Sequence, residues 1–68
     1  MKENGLDKLK GLHCKIVTQE PGEKRASVFY GEITEIDHEG GFIVVESGKG
    51  TGIINLKVVE AIKPTKKR

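Results

Sequence analysis

Residues 28–45, VFYGEITEIDHEGGFIVV, constrain the fold more than any other stretch, because they read as two apolar β-strands reversing through an acidic, glycine-containing turn. A strand sends successive side chains to opposite faces, which gives Phe29, Gly31 and Ile33 one parity and Ile36 the other. For Phe29, Ile33 and Ile36 all to face a core, the strand must absorb one extra residue near Thr34 or Glu35, as a β-bulge does. Gly31 fits the same bend: without a Cβ it lets the strand curve or lets another backbone come close. His38 and Glu39 occupy the turn, where Gly40 and Gly41 are expected to supply the positive φ of a tight reversal. Beyond it, Phe42, Ile43, Val44 and Val45 are apolar on both faces. One face can fill a core, and the other needs cover from a helix or a second subunit.

The rest of the chain must pack against this hairpin. Leu12, Cys14 and Ile16 alternate with His13, Lys15 and Val17 and predict a first strand, with Cys14 as a small core residue and His13 at the surface. Ahead of it, Asn4 is placed as an N-cap and Gly11 as a terminator, predicting a helix over about 4–10. Leu6 and Leu9 on its one apolar face would form a lid over the barrel. Pro21 and Gly22 mark a loop, and Ser47 to Gly50 a turn. The step from Leu56 to Val58 leaves room only for a 3-10 turn. Pro64 is expected to end pairing, leaving 64–68 as a basic disordered tail. The predicted strands are Leu12 to Thr18, Arg25 to Asp37, Gly41 to Ser47, Gly50 to Leu56 and Val58 to Lys63. They make one mainly all-β domain over 1–63, a strongly bent five-stranded antiparallel small barrel with a short N-terminal helix.

At 68 residues a single core gives marginal stability unless a disulfide, a metal or a partner assists it. Cys14 is the sole cysteine, and no Cys or His cluster has metal spacing, so homo-oligomerisation is the expected aid and no metal or cofactor is expected. No apolar run approaches a membrane span and the N-terminus lacks a signal-peptide core, which together predict a cytoplasmic protein with no membrane association. No nucleophile, base and orienting group can be named together, so the chain does not read as an enzyme. The net charge of +2 conceals an uneven layout: residues 21–47 hold six acidic and two basic side chains, residues 48–68 six basic and one acidic. An acidic hairpin therefore faces a basic C-terminal end.

A short helix, five strands and a one-turn link before the last strand resemble the Sm-like (LSm) small-barrel family, a variant of the SH3-like barrel. The spacing of Gly31, Ile33, Asp37, Gly40, Gly41 and Val44 is similar to that family's first motif, and Ile54, Asn55, Leu56, Val59 and Ile62 to its second. The resemblance implies an RNA-binding ring with a uridine pocket built by an aspartate, an asparagine and an arginine. Asp37 keeps the first, while Gly41 and Asn55 stand at the other two positions. A weakly sequence-selective site follows, with Lys63, Lys66, Lys67 and Arg68 as phosphate contacts and Asp37, Asn55 and Lys57 near the rim. The resemblance also implies that strands four and five pair between subunits, burying Ile53 or Ile54 with Val58 or Val59.

A protein-interaction or assembly barrel of Tudor, KOW or SH3-like type remains the alternative, because it accounts for the surplus apolar strand surface equally well. The few aromatics, Phe29, Tyr30 and Phe42, also leave little for bases to stack on if two of them fill the core.

Overall fold

The computed structural model describes residues 5–65. Five strands, β1 (His13–Thr18), β2 (Ser27–Asp37), β3 (Phe42–Ser47), β4 (Gly50–Asn55) and β5 (Val59–Pro64), form one antiparallel sheet in the order β4-β3-β2-β1-β5. The two edges, β4 and β5, do not pair with each other, so the sheet is not closed by main-chain bonds. Among the described residues the only helices are 3-10 segments, Gly5–Leu9 before β1 and Leu56–Val58 between β4 and β5.

β2 is 11 residues long and serves two neighbours. Its first half pairs with β1 from Thr18↔Ser27 to His13↔Glu32, and its second half pairs with β3 from Glu32↔Glu46 to Asp37↔Phe42. The register slips between Ile33 and Glu35, leaving Thr34 as the extra residue, so the expected bulge lies where the parity of Ile33 and Ile36 requires it. Ile33 is buried and Ile36 packs against the same core. A Cβ on Gly31 would lie 2.6 Å from Val45 Cγ1 and 2.7 Å from the Glu46 carbonyl oxygen, which is the close backbone approach the glycine permits.

The core is Cys14, Ile16, Ile33, Ile43 and Val45, with Leu6, Leu9, Ile36, Ile54, Leu56, Val59 and Ile62 packed around it. It contains no aromatic ring, so the expectation that Phe29 and a second aromatic would fill it is corrected: Phe29 is 46% exposed and Tyr30 55%. Phe29 has the inward parity, opposite Ile16, but β3 ends at Ser47 and β2 extends beyond it. Leu12 is also exposed, because it precedes β1 in a bend whose carbonyl accepts the Ile33 N–H at 3.1 Å.

Other boundaries shift for identifiable reasons. The N-terminal helix is a five-residue 3-10 segment, too short for α-helical bonding to propagate, and it is held by the packing of Leu6 and Leu9. Asn4, the expected cap, lies outside the described residues. β2 begins two residues later than predicted, at Ser27. Pro64 does not end pairing: it sits opposite Cys14, and the Thr65 N–H still donates to the His13 carbonyl at 2.8 Å. Proline is tolerated there because β5 is an edge strand. In the β2–β3 turn only Gly41 has positive φ (75°); at Gly40 the constraint is steric, since a Cβ would meet the Phe42 ring at 2.7 Å.

Candidate nucleic-acid interface

The β2–β3 turn and the corner after β4 meet at one end of the sheet. Asp37 faces Phe42 across β2–β3, Phe42 faces Asn55 across β3–β4, and the Leu56 N–H donates to the Gly41 carbonyl at 2.8 Å. Asp37, Gly41 and Asn55 are thereby neighbours although 18 residues separate the first from the last. Their polar groups are committed locally. Asp37 Oδ1 accepts the Gly40 N–H at 2.7 Å and its carbonyl accepts the Gly41 N–H at 2.8 Å, which closes the turn. Asn55 Oδ1 accepts the Lys57 N–H at 2.8 Å and so caps the 3-10 turn that carries Lys57.

Lys63 does not join this group. It lies on β5 four residues beyond Val59, or about 13 Å of extended chain from the corner. There it is directly opposite Lys15 of β1, which in turn is opposite Tyr30 of β2. The basic candidates Lys66, Lys67 and Arg68 lie outside the described residues. Their root is fixed, however: Thr65 Oγ1 is 2.6 Å from His13 Nδ1 and 3.3 Å from the His13 carbonyl. The predicted site residues thus divide into a rim set, Asp37, Asn55 and Lys57, and a set that starts at Lys63.

The proposed interface residues divide too. Ile54 and Val59 pack on the core, Val58 is half-buried in the corner, and Ile53 is 69% exposed on edge strand β4. Ile53 also lines a groove of about 570 Å³ with Val28, Phe29, Tyr30, Gly50 and Gly52. This groove opens where β2 runs on past the end of β3, and pairing lengths, which sequence alone leaves open, create it.

Three further contacts escaped sequence reading because they join segments far apart in the chain. His38 Nε2 lies 2.6 Å from Asp7 Oδ1, tying the β2–β3 turn to the N-terminal 3-10 segment. His13 meets Thr65, and Lys15 stands between Tyr30 and Lys63. Burial pushes the Cys14 thiol pKa up, and its Sγ lies 3.5 Å from the Leu12 carbonyl, so it is a packed, protonated thiol. Among the described residues no group of three or more His, Cys, Asp or Glu could hold a metal ion, and no helix is long and apolar enough to cross a membrane.

These observations define a class: a small, mainly β protein whose five antiparallel strands form one open sheet. Comparison of the chain with family models, with curated proteins and with solved structures found no match.

Proposed function

We propose that this protein is an Sm-like small-barrel module that binds RNA with weak sequence selectivity and acts as a homo-oligomer. The observation that carries the proposal is the strand order, which leaves β4 and β5 as free edges joined at a 3-10 corner. Free edges invite pairing with another chain, and β4 of one copy can pair with β5 of the next around a ring. Exposed Ile53 would then be covered by the neighbour. Weak selectivity fits the rim: the carboxylate of Asp37 and the amide oxygen of Asn55 already serve a turn and a cap, and Gly41 offers no side chain. The basic C-terminal end would supply phosphate contacts.

The test is sedimentation of the protein with and without short RNAs across a salt series. An oligomer that binds mixed-sequence RNA, with log K falling by about 0.7 per decade of salt for each phosphate neutralised, supports the reading. A monomer that ignores RNA at low salt overturns it. One observation favours the alternative protein-interaction barrel: the groove beside Phe29 and Ile53 is apolar and of a size that suits an extended peptide.

A further inference from the structure

The strand register places two lysines and an aromatic ring in one cross-strand row. Lys63 of β5 faces Lys15 of β1, and Lys15 faces Tyr30 of β2. All three share the outer face, because their chain neighbours Cys14, Ile16 and Gly31 are buried and Ile62 packs on the core. Side chains directly opposite have Cβ atoms about 5 Å apart, and like charges so placed destabilise a sheet. Neither lysine forms an ion pair with another described residue. The nearest acid on the face is Glu32, diagonal to Lys15, with Glu46 beyond it on β3. The arrangement works against stability and is complementary to a polyanion.

We infer that this outer face of β5, β1 and β2, rather than the rim at Asp37, Asn55 and Lys57, is where single-stranded RNA binds. Its phosphates would lie along Lys15 and Lys63 and one base would stack on Tyr30. The inference rests on the RNA-binding reading and gives it a site. A neighbouring pair of ammonium groups neutralises adjacent phosphates, and an exposed ring beside it offers a stacking platform that no duplex can use. Thr65, bonded to His13 at the end of the same strand pair, starts the basic segment Lys66, Lys67 and Arg68 within three residues of the row. Glu32 and Glu46 disfavour a path that continues across the face toward β3. Phe29 has the opposite parity and takes no part, while Tyr30 stands between this face and the apolar groove that it also lines.

The experiment is fluorescence anisotropy of the full chain with a labelled mixed-sequence 12-mer RNA over a salt series. Lys15→Gln/Lys63→Gln is expected to flatten the slope of log K against log salt by about 1.4, the share of two phosphates. Tyr30→Leu is expected to weaken binding about 5- to 100-fold with the slope unchanged. Lys24→Gln/Arg25→Gln, which removes the same charge from the exposed β1–β2 loop, should bind as the unmodified chain does. Thermal melts separate binding from folding, since relieving the Lys15–Lys63 repulsion should leave the melting temperature unchanged or raise it. If the loop variant loses as much as the face variant, only a diffuse field is at work and the site is wrong. The site is also wrong, with RNA binding intact, if Lys57→Gln weakens binding while the face variant does not, or if the duplex form of the 12-mer binds better than the single strand. A chain that binds no RNA at low salt overturns both the site and the reading beneath it. So does a salt-sensitive dimer abolished by the face variant with no RNA bound.

Discussion

A methyl group at position 31 would sit 2.6 Å from Val45 Cγ1 and 2.7 Å from a backbone oxygen, closer than van der Waals contact allows. Val45 is itself 6% exposed and cannot step aside into solvent, so Gly31→Ala must push β3 away from β2. The expected cost is about 1–3 kcal/mol, read as a lower urea midpoint; an unchanged midpoint would place the strands further apart than described here. Cys14 gives a second prediction. Burial raises its folded pKa above the unfolded value, so its contribution to stability is complete below the ordinary thiol pKa of about 8.5 and falls as pH rises past it. Native protein should therefore label slowly with a thiol reagent, at a rate set by opening of the sheet, and should lose stability at alkaline pH more than Cys14→Ala does. Fast labelling at neutral pH would contradict the burial.

Among the elements, the three-residue 3-10 corner decides most for its size, because it turns the chain from edge β4 to edge β5. Its cap is the Asn55 side chain, bonded to the Lys57 N–H. Asn55→Ala is expected to cost about 1 kcal/mol in denaturant titration, with RNA affinity per folded molecule unchanged, since capping uses the oxygen that base reading would need. A variant of full stability but weakened RNA affinity would return Asn55 to the rim role that the resemblance to the Sm-like barrel implies. The N-terminal 3-10 segment is held in a different way, by Leu6 and Leu9 on the core and by the contact of Asp7 with His38. Both partners are about half exposed, so apolar packing rather than the polar pair carries most of its docking.

The whole molecule is small for the sheet it supports. With roughly 0.05–0.15 kcal/mol of stability per residue, a core of four aliphatic side chains and one cysteine leaves little reserve. Exposed Phe29, Tyr30 and Ile53 are apolar surface that an isolated copy leaves in water. Ile53→Glu is expected to convert the proposed oligomer to a folded monomer in sedimentation, with the circular dichroism spectrum retained, because Ile53 touches the edge and not the core. A monomeric unmodified protein at high micromolar concentration would remove the assembly reading while leaving the outer-face RNA site open to its own test.

The sequence by itself determined the strands, the bulge and the corner. Parity forces an extra residue between Ile33 and Ile36, Gly31 marks a close approach, and the single residue between Leu56 and Val58 leaves room only for a 3-10 turn. Each of these is a local constraint of backbone geometry, legible within a few positions. Tertiary structure alone decided the rest, because side chains become neighbours across strands only once register is set. Register put Lys15 against Lys63 and Tyr30, and strand length left Phe29 uncovered. It also carried Asp37 and Asn55 to one end of the sheet while occupying their polar groups there. A one-residue change of pairing would have sent every one of those side chains to the other face, and no property of the individual residues announces which register wins.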